Sequence, residues 1–263
     1  MNFWIMFAVA MIISAIGFKK YVWFISIGYG FAIAGIGVAL LIIFRGSLSL
    51  VTALLCILFI VYGIRLGGYL MVRELKSSSY NAKMKKEIKD GSDMNFFVKV
   101  LIWVTCALLY ACQTSPVLFR MGSGAPAGVS AVIGLIIMIS GIVLESASDL
   151  QKTRAKNINP GRFVDTGLFS FVRCPNYLGE VLFWTGVLVS GVATFDTALE
   201  WIVAIIGYVA IVYIMFGGAR RLELRQNRTY GDDPEYQAYV KKVPILIPFI
   251  PLYSVADQKW LLG

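Results

Sequence analysis

Long apolar runs, parted by short polar connections, set the pattern of this chain. Seven of them approach the roughly 20 residues that a helix needs to cross a bilayer. They fall at Asn2–Phe18, Tyr21–Phe44, Leu48–Val72, Phe96–Cys112, Gly128–Ala147, Leu178–Thr194 and Ala198–Gly217. The pattern predicts an all-α fold: a polytopic membrane helix bundle of about seven transmembrane helices. Glycines within the runs, as in GYGFAIAGIG from Gly28 to Gly37, suit close packing of such helices. Met1 to Phe18 lacks a basic start and an A-x-A-like exit, so it reads as a first span rather than a signal peptide.

Positive charge sorts the connections into two sets. One set holds Lys19 and Lys20, then Arg73, Lys76, Lys83, Lys85, Lys86 and Lys89, then Lys152, Arg154, Lys156, Arg162 and Arg173, then the basic tail from Arg220. The other holds only Arg45 and Arg120. Positive loops remain cytoplasmic, which predicts an outside N-terminus and a cytoplasmic C-terminus. The net charge of +9 is thereby read as topology plus attraction to anionic membrane lipids, not as a nucleic-acid signal. The loop from Arg73 to Asp93 reads as a solvated connector, and GSGAPAG from Gly122 to Gly128 as a turn between spans.

The chain has 263 residues, four cysteines and no histidine. Cys56, Cys106, Cys112 and Cys174 show no paired spacing, and the usual zinc and histidine constellations are absent, so no metal is expected. The tail turns at Gly231 to Pro234 and continues as a short helix through Tyr236 and Tyr239. Pro244, Pro248 and Pro251 argue against a further span there.

One stretch breaks the apolar pattern, from Glu145 to Glu180. Both carboxylates fall in what reads as membrane-depth helix, where ionisable groups are costly and mark functional sites. Between them lie Asp149, Lys152, Arg154, Lys156, Arg162, Asp165, Arg173 and Asn176. The cations suit a polyanion such as a nucleotide's phosphates, and the helix start after Cys174-Pro175-Asn176 offers free N–H groups. Lys156, Arg162 and Arg173 are candidate phosphate ligands, or else topogenic charges in solvent. Glu223 with Arg220 is either a site pair or a surface pair at i, i+3. Tyr62 and Arg65 lie one helical turn apart on the third span, as site residues, a packing tyrosine or a structural cation.

PGRFVDTGLFSFVRCPNYLGE, followed by the tail YGDDPEYQAYVKKVPILIPFIP, resembles the C-terminal domain of the steroid 5-alpha-reductase family and its bacterial relatives. The wider superfamily also includes sterol reductases and isoprenylcysteine carboxyl methyltransferase. The resemblance covers about Glu145 to Pro251, with a fainter match at VYGIRLGGY from Val61 to Tyr69. It implies one integral-membrane domain over residues 1–263 in the inner membrane of a bacterium, in which 1–127 line a substrate pocket and 128–263 bind NADPH at the cytoplasmic face. Asp149, Arg162, Asn176 and Glu180 fall where that family contacts the dinucleotide, with Lys156, Arg173, Arg220 and Glu223 expected beside them. Tyr62 and Arg65 fall on the family's Tyr-x-x-Arg pair, whose tyrosine hydrogen-bonds the substrate's carbonyl; with Glu180 they are the expected catalytic residues. Cys174 stands where the family often has histidine, and no acidic residue precedes Glu74 to match the family's early glutamate. The implied activity is reduction of an activated C=C bond in a steroid-like or other lipid enone. The alternative is an S-adenosylmethionine-dependent membrane methyltransferase of the isoprenylcysteine type, and a non-catalytic lipid-binding protein comes third.

Overall fold

The computed structural model describes residues 2–76 and 94–261. Among the described residues eight α-helices follow in order: α1 Asn2–Ser14, α2 Ile27–Ile43, α3 Leu50–Lys76, α4 Phe96–Ser123, α5 Val129–Ile158, α6 Pro175–Gly191, α7 Ala198–Tyr230 and α8 Pro234–Lys242. Short 3-10 turns extend α1 and precede α2, and no strand occurs among the described residues. The fold is all-α. Among the described residues six helical stretches are long and apolar enough to cross a membrane, and Asn2–Phe18 is a shorter apolar helix. Most of the expected connector after Lys76 lies outside the described residues.

The chain divides into two compact units. Met1–Leu135 with Val187–Gly207 form the first, and Ile136–Gly186 with Tyr208–Gly263 the second. In the first, α2 packs along α3, and α1 packs on α2 and α4. Glycine makes the α2–α3 contact possible. A Cβ on Gly63 would stand 2.3 Å from the Gly30 carbonyl, and one on Gly30 2.5 Å from the Gly67 nitrogen. The two backbones touch, which only missing side chains allow.

Three helices outrun their apolar stretches. α4 continues past Cys112 through Pro116 to Ser123. Proline has no N–H for the carbonyl four residues back, and Ser115 Oγ donates to that carbonyl, Cys112 O, at 2.8 Å. Thr114 Oγ1 donates to Tyr110 O at 2.9 Å. These back-bonds satisfy the hydroxyls internally, so the polar QTSP stretch stays helical. α5 and α7 likewise run on beyond Ala147 and Gly217, each as one continuous helix.

Arg120 departs from the expected solvated loop. It lies in α4 with 1% exposure, and donates to the Ser190 carbonyl, to Pro126 O at 3.3 Å and to Ser130 Oγ at 2.7 Å. A buried guanidinium with several acceptors is a packing device here, not a topological charge.

Candidate functional site

In the first unit the tight α2–α3 crossing sets two tyrosines against each other. Tyr29 and Tyr62 each stand one position before a glycine of that contact. Their hydroxyls are 2.9 Å apart, and Tyr62 is fully buried. The Tyr29 ring also packs at 5.0 Å on Tyr110, whose hydroxyl donates to Phe24 O at 2.6 Å. Arg65 is half-buried on α3, three residues beyond Tyr62. Tyr29 escapes sequence reasoning because it sits in an apolar, glycine-rich run. The available signal was chemical: a phenol at that depth needs a hydrogen-bond partner.

In the second unit α5 and α6 cross as closely. A Cβ on Gly141 would come within 2.6 Å of Gly179 O and the Phe183 nitrogen, and one on Gly179 within 2.8 Å of Glu145 Cβ. Asn176, Gly179, Glu180 and Phe183 share one face of α6 by their spacing of three and four. Glu145, Asp149, Lys152 and Lys156 share a face of α5 in the same way. The crossing therefore sets buried Glu145 against the turn that bears buried Glu180. Asp149 is half-buried one turn further along α5. The Asn176 Oδ1 atom is buried and receives no hydrogen bond. A buried acceptor left without a donor is costly, and a ligand donor would relieve it.

The expected phosphate ligands have protein partners. Lys156 Nζ donates to Pro160 O at 3.2 Å, to Arg162 O and to the Tyr230 hydroxyl at 2.9 Å. Arg162 is exposed, pairs with Glu235 and with Asp165 at 2.9 Å, and lies 4.8 Å over the Phe163 ring. The hydrogen bonds to Glu235, then Asp165, hold its pKa above the ordinary value. Arg220 donates to two tail carbonyls, Ala256 O at 3.0 Å and Leu261 O at 3.3 Å. Phe163 is buried among Tyr230, Tyr236 and Tyr239, and so ties the central loop to α8.

Arg173 and Glu223, both expected at the cofactor, bond to each other. The contact is 2.7 Å and both side chains are almost fully buried. Arg173 Nη2 also donates to the Tyr253 carbonyl, and Glu223 Oε2 accepts from the Val255 N–H at 2.8 Å. Backbone bonds run alongside, Arg173 N–H to Pro244 O at 2.9 Å and Cys174 N–H to Ile245 O at 3.0 Å. The pair thus latches the tail to the segment that opens α6. An open hollow of ≈ 310 Å³ lies beside it, lined by Glu223, Asn227, Val240, Lys241, Tyr253 and Ser254. Asp149, Asn176 and Glu180 do not line it.

Cys174 is buried in an apolar cluster with Ala219, Leu222, Ile245 and Leu246. Burial pushes its thiol up to about 12. At pH 8 the thiolate fraction is then only about 10⁻⁴, and the thiolate is the nucleophile. Maleimide is expected to leave Cys174 unmodified in the folded protein at pH 8 and to label it after denaturation. Rapid labelling of the folded protein at this position, read by peptide mass, would show that the cluster is open.

Buried ionisable groups at the ends of membrane-length helices define an integral membrane protein of the polytopic helical class. A family model described as "Protein of unknown function (DUF1295)" matches residues 6–243, and the chain belongs to this family, which is steroid 5-alpha-reductase C-terminal-like. The chain is 40% identical over 57 residues to steroid 5-alpha-reductase DET2 of Arabidopsis thaliana, covering 21% of this chain and 22% of that protein. It is 33% identical over 123 residues to a very-long-chain enoyl-CoA reductase of Dictyostelium discoideum, covering 45% of this chain and 36% of that protein. The matches therefore span about a fifth to a third of these relatives' length. Both relatives are named as reductases. No solved structure matches.

Proposed function

We propose that this chain is a membrane reductase that uses NADPH to reduce a C=C bond conjugated to a carbonyl in a lipid. A steroid-like enone and a fatty enoyl thioester both present that group, in keeping with the names of the two relatives. The observation that carries the reading is the acceptor cluster on the α5–α6 crossing: Asn176 Oδ1 without a donor, beside buried Glu180 and Glu145. Ribose hydroxyls and a carboxamide NH₂ are donors of the kind that Asn176 Oδ1 lacks.

NADPH, when bound, would supply the hydride for the β-carbon, and a proton taken up from solvent at the α-carbon would complete the saturated product. Asn176, Glu180 and Asp149 hold the donor-bearing parts of the cofactor. Lys156, Arg162 and Arg220 take the phosphates. Of Arg162's carboxylate partners Glu235 is exposed and Asp165 half-buried, and such surface pairs are weak enough for a phosphate to replace them. Arg173 and Glu223 position the tail next to these groups. The face so occupied is the cytoplasmic one, by the distribution of basic residues.

Tyr62 acts on the substrate. Negative charge grows on the carbonyl oxygen as hydride arrives, and a buried phenol aimed at that oxygen stabilises it. When Tyr62 donates to the carbonyl, Tyr29 donates to Tyr62, and a chain of two polarised hydroxyls is stronger than one. Tyr29 so occupies the supporting role for which the sequence offers no early carboxylate. Arg65, on the same face of α3, adds a fixed positive charge.

Glu180→Ala is expected to raise the Kd for NADPH by about 10–100-fold, the loss of one or two charge-assisted hydrogen bonds. The variant protein should still insert and remain folded. Unchanged NADPH affinity in a folded Glu180→Ala protein would remove Glu180 from the cofactor site.

A further inference from the structure

We propose that the C-terminal tail is a membrane-interface anchor: Phe249, Ile250 and Trp260, together with Phe171, insert at the headgroup–acyl boundary of the leaflet in which α6 begins. Lys241 and Lys242 lie at the level of that leaflet's anionic headgroups. The inference stands apart from the cofactor reading, because it rests on the tail's depth, exposure and charge.

Depth comes from two independent contacts. Phe171 precedes Pro175, the first residue of membrane-length α6, by four residues, a reach of about 14 Å at full extension. The tail is hydrogen-bonded into that same segment, at Arg173 with Pro244 and at Cys174 with Ile245. At its far end the Tyr213 hydroxyl donates to Trp260 O at 2.6 Å. Tyr213 lies seven residues before Arg220 on α7, about 10 Å along the helix toward its apolar part. The tail therefore begins at the mouth of α6 and returns beside the membrane-depth part of α7.

Exposure is the second line. Phe249 is 97% exposed, Phe171 66% and Trp260 63%, and none of the three is in a spanning helix. Phe249 has φ +66°, the left-handed region that a side-chain-bearing residue adopts only under constraint. Pro248 and Pro251 flank it and restrict the loop. A constrained backbone that holds an aromatic ring away from all protein contact needs an apolar surrounding for the ring. Aromatic side chains at this level match the interfacial belt of membrane proteins.

Charge is the third. Lys241 and Lys242 end α8, both exposed, and Lys242 lines one open hollow with Phe171, Phe249 and Ile250. Apolar side chains with lysines at their rim complement an anionic bilayer surface.

The test places a nitroxide at Phe249→Cys in a Cys106→Ala background, where the other native cysteines are buried. The protein is reconstituted in nanodiscs of phosphatidylcholine and phosphatidylglycerol. Power saturation compares collision with oxygen, enriched in the bilayer, against a water-soluble nickel chelate. Gln237→Cys, on exposed α8, is the solvated control. Oxygen should dominate at position 249 and the nickel chelate at 237. Dominance of the nickel chelate at 249, equal to that at 237, would overturn the anchor. Spin–spin broadening at 249 that disappears on dilution with unlabelled protein would also overturn it, since a second copy of the chain would then cover the patch.

Discussion

Tyr62→Phe is expected to lower kcat by about 10²–10³-fold, while the Kd for NADPH stays within about twofold. The magnitude is that of removing one donor from a preorganised site that stabilises a developing oxyanion. The selectivity follows from position. Tyr62 is on α3, its hydroxyl is fully enclosed, and it lies 2.9 Å from the Tyr29 hydroxyl. An interaction made only in the transition state lowers kcat and kcat/KM together. Tyr29→Phe keeps the donor and loses only its support, so a fall of about tenfold is expected, roughly the worth of one net hydrogen bond. The double variant should be little worse than Tyr62→Phe, because the two hydroxyls act as a unit. Steady-state rates on an enone and on an enoyl thioester, with cofactor binding measured separately, check all three. Full turnover in Tyr62→Phe would remove the phenol pair from the chemistry.

Arg173→Ala and Glu223→Ala are each expected to cost about 3–5 kcal/mol, since either leaves an uncompensated charge in a buried place. The consequence should be local first. The tail between Pro244 and Val255 hangs on this pair through Tyr253 O and the Val255 N–H. Trypsin should cut at Lys241 and Lys242 many times faster in either variant. Arg173→Met with Glu223→Leu should restore much of the resistance, because well-packed apolar residues can replace a buried ion pair without loss. Cleavage at the parental rate in both single variants would show that the tail is held by other contacts.

Much of the fold was legible because lipid-spanning helices must be long and apolar, and such runs need no knowledge of what they touch. Helix ends were less so. Pro116 marks an end by local rules, yet Ser115 replaces the lost hydrogen bond and α4 continues. α7 changes from apolar to charged near Arg220 without any break, because helical hydrogen bonds are indifferent to what surrounds the side chains. Arg120 looked like a loop charge because one of its acceptors, Ser190 O, is 70 residues away in sequence.

Of the candidate site's residues, Glu145, Asn176 and Glu180 stand out in the sequence as polar anomalies in apolar surroundings. Pairings across long separations were not. Arg173 and Glu223 are fifty residues apart, and nothing in the local spacing of either foretells the bond. Tyr29 lacked any charge to draw attention, and its meaning comes only from the glycine-tight crossing that brings it to Tyr62.

Titration of the detergent-purified protein with NADPH, NADH and S-adenosylmethionine, followed by tryptophan fluorescence and thermal shift, tests the cofactor assignment most directly. Saturable binding of NADPH, weakened in Glu180→Ala and absent for S-adenosylmethionine, is the predicted result. Saturable binding of S-adenosylmethionine with no response to either dinucleotide would contradict it.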